Sequence, residues 1–264
     1  MKISREIRQI FNKSKKPKDD MESLKHVLND KSDFVKIETF KSIRTNILFS
    51  MPKSDKGRIV TITSSAPGEG KTTTSINLAI TFAQMGARVL LVDCDMRKAR
   101  IHRYLQIERV EGITNVLCGF TDFENAVKKN VRENLDVLTC GEIPPNPAEL
   151  LENEEFEKLL NTVKEQYDYI FIDTPPITVV TDAAVVMKHA NGAVVVIREN
   201  VTSYDFLDTA MSDVKKTGVN ILGVIVLGQE EKTKKSRYYK SYKYRKYKQG
   251  YDYAGYLDNP ADSK

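Results

Sequence analysis

At 264 residues and 41% hydrophobic content, the chain has enough apolar mass for one large α/β domain with polar extensions. The formal charge of +5 is carried by the ends: residues 229–264 hold ten Lys/Arg against five Asp/Glu, and residues 1–18 hold seven against Glu6 alone. No apolar run approaches the ~20 residues that span a bilayer and no signal-peptide core opens the chain, while the spread of Cys94, Cys118, Cys140, His26, His102 and His189 argues against a disulfide scaffold or a structural zinc site.

Residues 1–34 read as a basic, polar segment that contributes little core. Over 38–51, Phe40, Ile43, Ile47 and Leu48 fall at helical spacing and predict an amphipathic helix. From residue 58 the pattern alternates. Strands are expected at 58–64, 88–93, 135–139, 169–173, 193–198 and 221–227, with helices at 71–86, 147–166, 178–190 and 203–217. Runs such as Val89-Leu90-Leu91-Val92 and Val194-Val195-Val196-Ile197 are apolar throughout, as parallel strands buried on both faces require. The expected fold is therefore a doubly wound α/β sheet over 35–228, mostly parallel, with ligands at the carboxyl ends of its strands.

Three motifs fall at such ends. After the first strand comes Ser65-Ala66-Pro67-Gly68-Glu69-Gly70-Lys71-Thr72-Thr73, a P-loop in its strand–loop–helix context, with Ser65 in place of the usual first glycine. Backbone N–H groups over 66–73 would cradle phosphates at a helix N-terminus, Lys71 would meet the β- and γ-phosphates, and Thr72 would ligate Mg²⁺. The second strand ends in Asp93-Cys94-Asp95; two acids one residue apart can serve one site only if the strand bends there. An apolar strand ending in Asp173-Thr174-Pro175-Pro176 is the Walker B arrangement. Asp182 follows, placed to cap the next helix or to face the site, with capping its expected role. The set predicts an Mg·nucleotide enzyme. The absence of a guanine-reading NKxD favours ATP.

Beyond residue 228, Tyr238, Tyr239, Tyr242, Tyr244, Tyr247, Tyr251, Tyr253 and Tyr256 are interleaved with lysines and arginines, so no face is purely apolar. Packing does not explain this cluster. Residues 229–264 read as a disordered tail that something acts on or binds.

These motifs, together with Cys140-Gly-Glu-Ile-Pro-Pro-Asn-Pro-Ala-Glu-Leu-Leu151 and the terminal tyrosines, resemble the bacterial tyrosine kinases, P-loop enzymes related to the ParA/MinD ATPases. The match is nearest to the Firmicute-type kinase of capsular and exopolysaccharide synthesis. The resemblance implies autophosphorylation of the eight tail tyrosines with ATP and Mg²⁺. It gives Asp95 and Asp173 to Mg²⁺; Asp93, a carboxylate in the same run, is expected to accept the tyrosyl proton. It further implies a separate transmembrane activator, protein substrates, a cognate tyrosine phosphatase, and a cytoplasmic enzyme recruited to the inner membrane face. An oligomerisation motif of the family, ExxRxxR, matches at Glu38 and Arg44 with Lys41 in the middle; this implies a ring-like homo-oligomer, and a solvated helix with a Glu–Lys pair stands equally. The partitioning relatives carry an extra P-loop lysine, which falls here on Ala66. That leaves a ParA/MinD-like ATPase with a nucleic-acid- or membrane-binding tail as the alternative, with no nucleic acid expected for the kinase.

Overall fold

The computed structural model describes residues 25–52 and 54–228. The basic extreme N-terminus and the tyrosine-rich tail lie outside the described residues. Seven strands are present among them: β1 (Arg58–Ser64), β2 (Val89–Asp93), β3 (Lys128–Arg132), β4 (Leu135–Leu138), β5 (Tyr169–Asp173), β6 (Gly192–Arg198) and β7 (Ile221–Leu227). They form one sheet in the order β3-β4-β2-β5-β1-β6-β7, parallel except for β3. The helices are α1 (Phe34–Ser50), α2 (Lys71–Ala83), α3 (Ile101–Leu105), α4 (Ile113–Leu117), α5 (Phe123–Ala126), α6 (Pro147–Glu152), α7 (Glu154–Gln166), α8 (Asp182–Met187) and α9 (Tyr204–Lys216).

All five residues of β2 and of β5 are buried, because helices cover both faces of the sheet. On one face α1 and α2 pack against Val60, Ile62, Leu91 and Phe171. There Phe82 meets the rings of Tyr169 and Phe171 edge-on at 4.7 and 4.9 Å. On the other face α4 to α8 enclose Ile59, Leu90, Val92, Ile170 and Ile172, and α9 closes over β6. This is the doubly wound fold expected from the alternation of strands and helices.

Four local readings change. The core begins before residue 35: Val27 and Leu28 are buried, and the Leu28 N–H donates to Asn77 Oδ1 at 2.8 Å on α2. β3 carries no apolar alternation, since Lys128, Lys129 and Arg132 are the charged residues a protected edge strand uses. It joins β4 through Asn134, which takes a left-handed φ of 60°. The single helix expected over 147–166 is two. Asn153 is extended (φ −69°, ψ 148°) and caps α7, whose first turn holds Glu154, Glu155 and Glu157. The helix expected over 178–190 narrows to α8, because residues leading from Pro175-Pro176 form turns up to Thr181.

Candidate active site

Strands β2, β5 and β1 are consecutive neighbours, so the three motifs meet at one end of the sheet. Register does the rest: Asp93 pairs with Asp173 across β2 and β5, and Asp173 pairs with Ile62 across β5 and β1. β2 ends at Asp93, and the chain turns beyond it, so Asp95 comes to the same site as Asp93.

Residues 65–70 form the loop between β1 and α2. Gly68 and Gly70 have φ of 86° and 92°, and Gly70 caps α2, so both need the conformational freedom of glycine. Ser65, where a glycine is usual, donates its hydroxyl to Glu69 Oε1 at 2.7 Å. The same carboxylate accepts the Ala66 N–H at 2.7 Å and the Thr202 hydroxyl. Of the residues expected around the phosphates, Glu69 therefore turns its fully buried side chain inward to brace the loop. Pro67 and Gly68 stand exposed at the rim. A second pin comes from Thr178, whose hydroxyl donates to the Ser65 carbonyl at 2.5 Å.

Lys71 Nζ donates to Asp95 Oδ2 at 2.6 Å and lies 3.6 Å from Asp173 Oδ2. Thr72 Oγ1 donates to Asp173 Oδ2 at 2.7 Å, and Ser75, one turn along α2, donates to Asp173 Oδ1 at 3.0 Å. Asp95 Oδ1 accepts the Lys98 N–H at 3.0 Å. Asp93 accepts the Ile101 N–H at Oδ2, 3.2 Å away, while its buried Oδ1 has no partner. Burial pushes the Asp93 carboxyl up to about 8, with the charge of Asp173 adding to the rise and Lys71 opposing it. Burial likewise raises Asp173, against Lys71 and the hydrogen bonds from Thr72 and Ser75. Burial alone would lower Lys71, but Asp173 and Asp95 outweigh it and hold the ammonium above its ordinary value. Cys94, between the two acids, is pushed well above the thiol range by burial, which leaves it an unreactive thiol.

Among the described residues, no group of three or more His, Cys, Asp or Glu side chains is arranged to hold a metal alone. Thr72, Asp95 and Asp173 nonetheless gather hard oxygens beside a phosphate loop. That donor set fits Mg²⁺, which takes one or two carboxylates and fills its shell with water and phosphate oxygens.

Several contacts here carried no signal in the sequence. Arg97 grips Asp182 with two parallel bonds, Nε to Oδ2 at 2.9 Å and Nη2 to Oδ1 at 3.0 Å. Asp182 is fully buried in the first turn of α8, and its side chain makes no cap; the capping role expected of it gives way to this pair. Ser75, Thr178 and Thr202 are ordinary residues in sequence. Of the expected oligomerisation residues, Glu38 and Lys41 pair with each other at 2.8 Å on the exposed side of α1. Arg44 turns inward, donating to the Thr81 carbonyl at 2.6 Å.

A P-loop whose lysine and threonine meet the acid that ends β5 and a second acid just beyond β2 defines a nucleotide-binding domain of the NTPase class. Residues 57–221 match the family described as AAA domain. The tyrosine-protein kinase YwqD of Bacillus subtilis is 41% identical over 202 residues, covering 76% of this chain and 84% of the relative. Tyrosine-protein kinase wzc of Salmonella typhimurium is 37% identical over 190 residues, which is 72% of this chain but only 26% of that protein's length. Among solved structures, the chimerical protein CapA2B2 superposes with a TM-score of 0.72 at 37% identity, covering 80% of this chain and 91% of that one. The septum site-determining protein MinD of Pyrococcus horikoshii, complexed with Mg-ADP, shares the fold more distantly, with a TM-score of 0.56 at 27% identity over 67% of this chain and 72% of that one. The chain belongs to the bacterial tyrosine kinases, in their Firmicute-type form. No helix among the described residues is long and apolar enough to cross a membrane.

Proposed function

We propose that the chain is an autophosphorylating protein-tyrosine kinase that moves the γ-phosphoryl group of ATP to tyrosines of its own tail, Tyr238 to Tyr256, in the control of capsular or exopolysaccharide synthesis. The observation that carries the proposal is the convergence of Lys71, Thr72, Asp95 and Asp173 on one P-loop, with Asp93 beside them, in a chain whose relatives are named tyrosine kinases.

Phosphoryl transfer asks the protein for positioning and charge compensation. The loop amides and Lys71 would hold the triphosphate; Thr72, Asp95 and Asp173 would hold Mg²⁺. When bound, Mg²⁺ supplies positive charge to the phosphate oxygens. The tyrosyl oxygen attacks the γ-phosphorus, the bond to the β–γ bridging oxygen breaks, and the phenolic proton passes to Asp93. Support for that last role lies in the unpartnered Oδ1 of Asp93; its carboxyl is held protonated up to about pH 8 in the chain alone, so the role requires the charge of Mg²⁺ to lower it when the nucleotide is bound. As a random coil, 36 residues would span about 30 Å, the reach such a tail would need to visit a neighbouring subunit's site.

A separate transmembrane activator, a ring-like homo-oligomer, protein substrates, a tyrosine phosphatase and recruitment to the inner membrane face belong to the same proposal. The ParA/MinD-like alternative is not retained, given the relatives' identity and Ala66 at the partitioning-lysine position.

The test is mass spectrometry of the purified full chain after incubation with Mg·ATP and the membrane activator, beside Lys71→Met. Phosphotyrosine in residues 238–256 that disappears in the variant is the expected result. A tail free of phosphate in the wild-type chain overturns the proposal.

A further inference from the structure

Of the twelve tyrosines, eight lie in the tail and four in the described domain: Tyr104, Tyr167, Tyr169 and Tyr204. A tyrosine can accept a phosphoryl group only if its phenol can enter an active site. Three of the four cannot, since Tyr104, Tyr167 and Tyr169 are each at most 9% exposed. The Tyr167 hydroxyl donates to Asp136 Oδ2 at 2.7 Å, and burial together with that bond pushes the phenol above its ordinary value. The Tyr169 hydroxyl accepts from Arg58 Nη1 at 3.3 Å, and its ring meets Phe82 edge-on.

Tyr204 differs on every count. It is 79% exposed, and its side chain makes no hydrogen bond or ring contact among the described residues. It opens α9, after a turn in which Asn200 takes a left-handed φ of 59° and only Thr202 of residues 199–206 is less than exposed. The turn is nonetheless fixed. The Arg198 carbonyl accepts the N–H groups of Val201 and Thr202 at 3.2 and 2.9 Å, Ser203 Oγ accepts the Phe206 N–H at 3.3 Å, and Thr202 is tied to Glu69. Val201 and Phe206, both more than half exposed, flank the phenol with apolar surface. Because β6 runs parallel to β1, this turn stands at the same end of the sheet as the P-loop. Yet β6 lies three strand spacings from β2, which carries Asp93, and that is about 14 Å. A tyrosine side chain does not reach so far, so the chain's own Asp93 is closed to Tyr204 and a second copy's is not.

We infer that Tyr204 is a phosphoacceptor on the domain itself, modified by a second copy of this chain and additional to the tyrosines of the tail. Its phenolic oxygen attacks the γ-phosphorus of ATP held by the second copy. The bond to the β–γ bridging oxygen breaks, ADP leaves, and the phenolic proton passes to Asp93 of that copy. The product carries about 1.5–2 negative charges at the head of α9, a helix of 13 residues whose N-terminal partial positive charge favours them, while Asp205 in the same turn opposes them. The inference rests on the kinase reading given above and goes beyond it in naming an acceptor outside the tail.

The test mixes two full chains with Mg·ATP under the conditions that phosphorylate the tail. One is active and carries Tyr204→Phe; the other carries Lys71→Met, is labelled with heavy isotopes and keeps Tyr204. Peptide mass spectrometry reads position 204 of the labelled chain, beside the wild-type chain alone. The expected result is the mass shift of one phosphoryl group on the labelled peptide, lost when the labelled chain also carries Tyr204→Phe. Phosphate on the labelled tail in the same sample shows that this variant is folded and presented to its neighbour. Phosphate on the tails but none on Tyr204, in the mixture or in the wild type, overturns the inference and leaves the kinase proposal standing. Phosphate on Tyr204 of the wild type alone, absent from the labelled chain, makes the transfer internal and overturns it as well. Should no chain form phosphotyrosine anywhere, the kinase proposal falls and takes this one with it.

Discussion

Replacing Asp93 by asparagine should make the chain more stable at alkaline pH and less stable at acid pH. Asp93 is fully buried beside Asp173, and its carboxyl sits at about 8 instead of the unfolded 3.8. Below pH ~4 it is protonated in both states and its burial costs no ionisation energy. As pH rises from ~4 to ~8, the unfolded chain gives up a proton that the folded chain retains, so stability is lost progressively across that window; the loss is complete above it. A displacement of about four pH units corresponds to at most about 5–6 kcal/mol. Asparagine cannot ionise, but its amide nitrogen inherits the place of an oxygen with no partner, at about 1–3 kcal/mol. The variant is then about 2–5 kcal/mol more stable at pH 8.5, or roughly 4–20 °C in Tm, and about 1–3 kcal/mol less stable at pH 4. Thermal unfolding of both full chains without nucleotide and with chelator, from pH 4 to 9, measures this directly. Two curves that cross support the reasoning. A difference that does not change with pH, or a variant less stable throughout, refutes it.

Arg97→Ala leaves Asp182 buried without its two bonds. Because Arg97 is 44% exposed, the expected loss is about 1–3 kcal/mol, below that of a wholly buried pair, and adding Asp182→Asn should restore part of it in urea unfolding. Thr202→Val removes the hydroxyl that joins the β6–α9 turn to Glu69; a loss of about 1 kcal/mol in stability with weaker ADP binding is expected, and unchanged ADP affinity would show that the brace does not position the loop. Gly112→Ala would put a Cβ 2.2 Å from the Thr139 carbonyl and 2.3 Å from the Gly141 nitrogen, both backbone atoms. A destabilisation above about 3 kcal/mol is expected, and a Tm within 2 °C of wild type would show that this crossing yields easily.

The parts of this site legible in sequence were those whose residues are contiguous. Gly70-Lys71-Thr72 after an apolar strand states its own geometry, because the strand, the loop and the helix start are all local. Asp93 and Asp173 were each readable as strand-end acids, but their pairing depends on β5 lying between β1 and β2 in a particular register, and register is a property of the assembled sheet. The Arg97–Asp182 pair joins residues 85 apart, so Asp182, read locally, offered only a helix start. β3 was invisible for a different reason: an edge strand of lysine, asparagine and arginine with Val131 as its single apolar residue has no hydrophobic period to detect. Asn153, by contrast, was legible and passed over. Asparagine followed by three acids within four residues marks a helix start inside what reads as one helix.

The charges at the site imply that nucleotide and divalent cation bind together. In the chain alone, the ammonium of Lys71 serves Asp95 at 2.6 Å and Asp173 at 3.6 Å, and hydroxyls of Thr72 and Ser75 complete Asp173. Asp93 meets the same field by staying protonated up to about pH 8. A triphosphate entering alone must draw Lys71 away from Asp95, which leaves two buried carboxylates, Asp95 and Asp173, facing several new negative charges. The lysine cannot serve both sets of oxygens. A divalent cation relieves the conflict, because Asp95 and Asp173 can then satisfy it while Lys71 turns to the phosphates. The coupling is mutual, so Mg²⁺ strengthens ATP binding and ATP strengthens Mg²⁺ binding by the same factor, on the order of 10- to 100-fold. Asp95→Asn frees Lys71 in advance and takes away one acid. In that variant ATP binding measured with chelator should rise, while the gain from added Mg²⁺ shrinks; an unchanged gain would mean that the Lys71–Asp95 pair is no obstacle to the nucleotide.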